Sequence, residues 1–199
     1  MSKILILSAI LVVGSFAQLN SQTFQALKQT EGGGINIGNW DGSQIKTEGG
    51  DILTTISIKN GKLDFSRPTG QTRTDLLKSL YKEGTRKVCI SSHPKEQFLV
   101  VRPEGYIGPA SPQNGLFQAL PETDDGFGLN TFEHSSIIDS DGKVLVSLTL
   151  RDKKVTLSIA TGQSLDTLYK LGLRSFFTKV GQVVELVKDD QGKVVLKEK

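Results

Sequence analysis

The amino-acid sequence matches itself when it is shifted by 92 positions, and this similarity limits the folds open to the chain. Residues 34–83 and 126–175 share 12 identities over 50 aligned positions. The triplet Thr69-Gly70-Gln71 recurs as Thr161-Gly162-Gln163. Apolar residues coincide at every second position, which is the spacing of a half-buried strand. We therefore expect two similar units, the alternative being two unrelated segments that share only strand periodicity.

Each copy is predicted to hold two strands, one helix and two further strands. Ile52–Lys59 and Lys62–Ser66 are predicted as a hairpin, because Asn60-Gly61 between them is the strongest short turn signal. Asp152-Lys153 takes the same place in the second copy and is a poorer turn. The remaining predicted elements are helices over 72–82 and 164–174, which begin at the N-cap candidates Thr72 and Ser164, and strands over 86–91, 97–101, 182–188 and 193–197.

The fold class expected from these patterns is α+β, mainly antiparallel β, with two tandem similar β-β-α-β-β units packed together. A unit of roughly 70 residues is marginal by itself, so the two units are expected to share a core. Between them lies a stretch rich in proline and glycine, which predicts an ordered loop or linker. The predicted segments are a signal peptide at 1–17, a flexible lead-in at 18–33, repeat unit 1 at 34–101, a Pro/Gly-rich linker at 102–125 and repeat unit 2 at 126–199.

The N-terminus has the three-part pattern of a secretory signal peptide. Lys3 supplies the positive charge, Ile4–Val13 is apolar except for one serine, and Ser15 and Ala17 are the small residues before a cut at Gln18. A membrane anchor is the alternative, but a spanning helix needs about 20 apolar residues. We therefore expect a secreted protein, extracellular or within the secretory lumen, without stable membrane insertion.

Charge and cysteine content narrow the range of partners. The chain has 24 Lys and Arg against 21 Asp and Glu, interspersed along its length, which argues against nucleic-acid binding. Cys89 is the sole cysteine, so the fold has no internal disulfide. Its neighbours predict a buried strand residue. An intermolecular disulfide that makes a homodimer and a reactive thiol are the alternatives.

Candidate catalytic and metal-binding groups are few. The two histidines, His93 and His134, have no metal-ligand spacing, and no local signature of a nucleophile accompanies them. The segment 139–142 begins like a calcium-binding loop, but Leu150 stands where that loop needs an acidic ligand. The sequence therefore predicts no metal, no cofactor and no catalytic residue, and favours a role that is not enzymatic.

Function is predicted from this organisation. We expect a secreted non-enzymatic binding protein that presents two similar β-rich units to a protein or glycan partner. Trp40, Tyr106, Phe117 and Phe127 are the candidate binding residues, and core packing is the alternative role for their rings. The alternative functions are a structural component of an extracellular or secretory-granule matrix, and a hydrolase with an unrecognised site.

Overall fold

A computed structural model describes residues 22–92, 95–109, 113–129, 132–179 and 181–199 of the chain. The predicted signal peptide at 1–17 and His93 lie outside the described residues. We refer to residues 22–109 as the N-terminal half and to residues 113–199 as the C-terminal half.

Over the described residues the fold is mainly antiparallel β-sheet with two helices, as the sequence predicts. No helix in this part of the chain is long and apolar enough to cross a bilayer. The strands of the N-terminal half are β1 (Thr23–Ala26), β2 (Gln44–Thr47), β3 (Ile52–Lys59), β4 (Lys62–Phe65), β5 (Lys87–Ser92), β6 (Lys95–Val101) and β7 (Ile107–Pro109), with helix α1 (Arg73–Lys82). Those of the C-terminal half are β8 (Phe117–Ala119), β9 (Glu122–Thr123), β10 (Gly126–Gly128), β11 (Ser136–Ile138), β12 (Val144–Arg151), β13 (Lys154–Ile159), β14 (Ser175–Lys179), β15 (Gln182–Lys188) and β16 (Val194–Glu198), with helix α2 (Leu165–Lys170).

The described strands form four antiparallel sheets. A four-stranded meander precedes the helix in each half, in the order β1-β2-β3-β4 and in the order β8-β11-β12-β13. A three-stranded sheet follows each helix, β5-β6-β7 in the first half and β14-β15-β16 in the second. The first meander gains two strands from the other half, because β10 pairs with β4 and β9 pairs with β10.

Both predicted hairpins form, and both use left-handed turn residues. Asn60 and Gly61 have φ of 52° and 70° between β3 and β4. Asp152 and Lys153 have φ of 49° and 63° between β12 and β13. Positive φ at both central positions is the geometry of a type I′ turn, which matches the twist of the flanking strands. The second hairpin therefore holds a lysine in a conformation that favours glycine.

Both helices begin at the predicted N-caps. The Thr72 hydroxyl accepts a hydrogen bond from the Asp75 backbone N–H at 3.1 Å, and the Ser164 hydroxyl accepts one from the Thr167 N–H at 3.1 Å. Helix α2 is shorter than the prediction, because its last turn is followed at once by Gly172 with φ of 102°. A glycine in the left-handed region ends a helix.

The structure contains strands that the sequence did not predict. Three strands follow each helix, where the sequence predicted two, and Ser175–Lys179 was missed because it lies between the predicted helix over 164–174 and the predicted strand over 182–188. The segments predicted as lead-in and linker contain strands, β1 in the first and β7 to β9 in the second. These strands have two to four residues each, too few to give a clear alternating pattern.

In the part of the chain that the structure describes, buried side chains form three clusters. The largest lies in the N-terminal half and includes Leu120, Phe127, Leu129 and Phe132 of the C-terminal half. A second lies within the C-terminal half around helix α2. A third, centred on Phe117, joins β8 and β11 to the last sheet of the N-terminal half. The halves therefore pack against each other through apolar side chains.

Candidate functional site

The four aromatic residues predicted to bind a partner lie in different places. Phe117 and Phe127 are each 2% exposed and belong to different core clusters. Tyr106 is half-buried and packs against the cluster of Phe117. Trp40 is half-buried, and its indole N–H is buried without a hydrogen-bond partner in the described part of the chain. The fold does not bring these four rings into one surface.

The candidate catalytic and metal-binding groups also have defined places. The His134 side chain is 68% exposed, and its Nε2 lies 3.5 Å from Oε1 of Glu133. The Asp139 carboxylate accepts hydrogen bonds from the backbone N–H groups of Asp141 and Lys143, which closes the β11–β12 turn. Among the residues described, no group of three or more His, Cys, Asp or Glu side chains is placed to hold a metal ion.

Cys89 lies on β5 and is 6% exposed. The side-chain amide of Gln25 on β1 binds both backbone groups of this residue, donating to the Cys89 carbonyl and accepting from its N–H, each at 2.8 Å. The same clamp occurs in the C-terminal half. There Gln118 on β8 donates to the carbonyl of Phe177 and accepts from its N–H, each at 2.8 Å. In each half a glutamine thus joins the first strand to the first strand after the helix.

Both clamp glutamines lie in a second internal sequence match, which has an offset of 93 and not 92. Phe24-Gln25-Ala26-Leu27 is identical to Phe117-Gln118-Ala119-Leu120, shifted by 93 positions. One extra residue in the loop after the first copy accounts for the difference in offset. A comparison at a constant offset of 92 misses this match. The prediction from sequence therefore assigns the two tetrapeptides to the lead-in and the linker.

Further contacts recur between the halves. The Arg86 guanidinium lies 3.6 Å from the centre of the Tyr81 ring, and that of Arg174 lies 3.7 Å from the centre of the Tyr169 ring. Each arginine also donates to the backbone carbonyl of the tyrosine that it covers. Because these side-chain contacts recur, equivalent positions of the two halves can be compared directly.

The contact between the halves is built on strand β4. Strand β10 pairs with it in the register Phe127 with Leu63, and the Leu129 N–H donates to the carbonyl of Gly61 at 2.8 Å. A Cβ at Gly126 would come 2.5 Å from the Leu63 carbonyl oxygen, so the strands approach closely only because this residue is glycine. Leu129 is 6% exposed as a result.

Charged groups complete this contact. Arg73, which is 2% exposed, donates to Asp64 at 3.2 Å and to the backbone carbonyl of Asp124 at 3.3 Å. Its guanidinium also lies 5.3 Å from the centre of the Phe127 ring. At the edge, Lys62 Nζ lies 2.6 Å from a carboxylate oxygen of Asp125, and this hydrogen bond lowers the pKa of Asp125.

Strand β13 occupies in the C-terminal half the position that β4 has in the N-terminal half. Among the described residues β13 pairs with β12 alone, so its outer edge is open. A cavity of about 400 Å³ lies at Val155, between the β12–β13 hairpin and the last sheet; it is lined by Leu150, Val155, Val183 and Val184 and by the polar residues Lys153, Thr178, Lys179, Gln182, Glu198 and Lys199. Leu63 and Phe65 are 0% and 1% exposed on the covered strand β4, whereas Val155 and Leu157 at the same positions are half-buried.

No protein-family model, curated protein or solved structure matches this chain. Within the described residues the open edge of β13 offers unpaired backbone donors and acceptors. The neighbouring cavity is lined by both apolar and polar side chains. Together they suit an extended peptide segment that adds a strand to the sheet. We call Lys154–Ile159 and the adjoining cavity the β13 site.

Proposed function

We propose that this chain is a secreted, non-enzymatic binding protein made of two tandem similar units, and that the β13 site is its binding surface. The observation that carries the proposal is the difference between β4 and β13. The first is covered by another strand, and the second is open within the described part of the chain. An uncovered edge strand is a liability unless a partner covers it.

The partner that suits this site is a protein. An extended chain would pair with the backbone of β13 and place an apolar side chain in the cavity near Val155 and Val183. A glycan would need exposed aromatic rings to stack on, and two of the four candidate rings, Phe117 and Phe127, are each 2% exposed. We therefore assign the partner contact to the β13 site instead of to the aromatic residues.

The native mass of the protein in its own secretion tests this proposal. Wild-type protein is expected to elute in a complex heavier than the monomer, while the Val155→Pro variant elutes as a monomer. The substitution removes a backbone donor from the outer edge of the strand but keeps an apolar side chain, a change that edge strands tolerate. A wild-type monomer in the native fluid would contradict the proposal.

The same experiment separates this contact from one made by Cys89. A complex held at the β13 site stays intact when a reductant is added. A dimer that reductant dissociates would instead assign the contact to Cys89, whose thiol would first have to leave a position that is 6% exposed.

A further inference from the structure

The segment that covers β4 has a counterpart at the start of the N-terminal half. Positions 126–129 correspond to positions 34–37 at the offset of 92, and the glycine is kept as Gly34. Ile35 and Ile37 take the places of Phe127 and Leu129. We call residues 34–37 the leading segment.

The leading segment is exposed where its counterpart is buried. Ile35 and Ile37 are 60% and 72% exposed, against 2% for Phe127 and 6% for Leu129. Positions outside this contact behave differently, since Ile52 and its counterpart Val144 are both exposed, at 56% and 42%. The asymmetry is therefore specific to the contact that joins the halves.

The leading segment is already shaped for strand pairing. Ile35 forms an antiparallel bridge with Gln29, as Phe127 does with Glu122 in the β9–β10 hairpin. The Thr30 N–H donates to the Gly34 carbonyl at 2.8 Å and closes the turn. A segment held in this way loses little conformational freedom when it binds.

We propose that the leading segment of one copy binds the β13 site of a second copy, repeating between molecules the contact that β10 makes with β4 within one molecule. This step rests on the proposed binding surface and names its occupant. In the repeated register Ile35 pairs with Val155, and the Ile37 N–H donates to the carbonyl of Lys153. Gly34 permits the close approach to Val155 that Gly126 permits at Leu63.

The directions of the backbone N–H and carbonyl groups along β13 agree with this register. Arg151 and Lys154 flank the two-residue turn and form the hairpin's closing pair. Backbone groups alternate in direction along an antiparallel strand, so the N–H and carbonyl of Val155 point away from β12. Leu150 and Val183 are among the residues that line the cavity beside Val155, and they give the leading segment an apolar patch within a lining that is otherwise mostly polar.

The contact between the halves also includes β7 with β8 and the cluster around Phe117, and these parts have no equivalent between copies. Gly108 lets β7 approach β8, and Lys197 stands at the corresponding position of β16. Ile138, which is 0% exposed in the cluster around Phe117, corresponds to Lys46. The contact between copies is therefore smaller than the internal one, and we expect it to be reversible and dependent on concentration.

The proposed contact joins different surfaces of the two copies. A contact of this kind leaves one leading segment and one β13 site unused at the ends of each assembly. Copies therefore add in a row, and they form a ring only if the rotation between them closes. This places the protein among those that assemble by head-to-tail addition.

Sedimentation velocity of the purified chain over a range of concentrations tests this inference. Wild-type protein is expected to grow through dimer, trimer and larger species. Ile35→Asp combined with Ile37→Asp should weaken association about tenfold or more, because each substitution replaces an apolar side chain that the contact buries. Both residues are exposed in the monomer, so its stability should not change. Ile52→Asp, at an isoleucine that is 56% exposed and takes no part in the proposed contact, is the matched control and should associate as wild type does.

Mixing two variants tests the polarity of the contact. The double aspartate variant keeps its β13 site, and Val155→Pro keeps its leading segment. Each is expected to be monomeric alone, and an equimolar mixture is expected to stop at a dimer. If Val155→Pro fails to fold, the variant Gln182→Trp takes its place in the experiment. Residue 182 is exposed and lines the cavity, so a tryptophan there blocks the cavity.

Three results would overturn the inference. They are a wild-type chain that stays monomeric at every concentration, an association that the double aspartate variant leaves unchanged, and a mixture that forms no dimer. If the chain is monomeric alone but forms a complex in its native secretion that Val155→Pro abolishes, the β13 site binds a different protein. The proposed function would then stand without this inference.

Discussion

A few residues make most of the hydrogen bonds and ion pairs between side chains at the contact between the halves. Arg73 is the least predictable of them, since it begins helix α1 and the sequence offers no reason for it to be buried. It is 2% exposed because the Asp64 carboxylate of its own half and the Asp124 backbone carbonyl of the other half accept hydrogen bonds from its guanidinium. A buried charge is tolerated only when it is paired in this way.

Arg73→Met should lower the free energy of unfolding by about 2–3 kcal/mol, because it removes charge-assisted hydrogen bonds from Asp64 and from the β9–β10 hairpin. Urea denaturation measures this change. Arg151→Met, at an exposed arginine, is the control and should change stability by less than about 0.5 kcal/mol. Equal stabilities of the two variants would show that the Arg73 contacts do not stabilise the fold.

The Asp125 carboxyl gives a prediction about pH. Its hydrogen bond to Lys62 lowers its pKa in the folded protein, so this bond stabilises the fold above the ordinary carboxyl pKa and is lost as pH falls through the lowered value. Lys62→Met should raise the pKa of Asp125, as followed by the carboxyl chemical shift in an NMR titration. Lys154→Met, at the corresponding position in the other half, should leave this pKa unchanged. The opposite pattern would exclude the Lys62 contact as the cause.

At the scale of elements, prediction from sequence succeeded where a signal was local. The hairpin at Asn60-Gly61 and the helix starts at Thr72 and Ser164 follow from turn and capping chemistry, and all of them form. It failed where pairing partners lie far apart in the chain. Strand β1 is four residues long and is held by the Gln25 clamp and by β2, which no local pattern reports.

The second hairpin provides a paired test of turn chemistry. Lys153→Gly should raise the free energy of unfolding by about 1 kcal/mol, because Lys153 has φ of 63° and glycine adopts that region without steric strain. Gly61→Lys, the reverse change in the first hairpin, should lower it by a similar amount. Thermal unfolding followed by circular dichroism measures both. Changes of the same sign in the two variants would contradict the assignment of the turn type.

At the scale of the molecule, the halves share their order of strands and their glutamine clamps but differ in what covers them. The sequence predicted the similarity of the halves and four candidate binding residues, yet the surface that we propose as functional was not among its predictions. The β13 site becomes visible only when β4 and β13 are compared in three dimensions, because the covering strand comes from the other half.

The junction of the halves depends on Gly108. A Cβ there would overlap the carbonyl oxygen of Gln118, so Gly108→Ala should force β7 away from β8 and lower the free energy of unfolding by about 3 kcal/mol. Gly49→Ala is the control, because its Cβ would meet only side-chain oxygens at ordinary contact distances, Thr47 Oγ1 at 3.7 Å and Asp51 Oδ2 at 4.0 Å. Urea denaturation that finds equal losses in both variants would place the junction elsewhere.

The most direct test of the account is amide hydrogen exchange at Val155, measured by NMR in dilute and in concentrated wild-type protein. We predict that the Val155 amide exchanges rapidly in dilute protein and becomes protected as concentration rises, while amides of the already paired strand β4 keep the same protection throughout. A Val155 amide that exchanges at the same rapid rate at every concentration, in protein that nevertheless associates, would show that copies do not pair through β13.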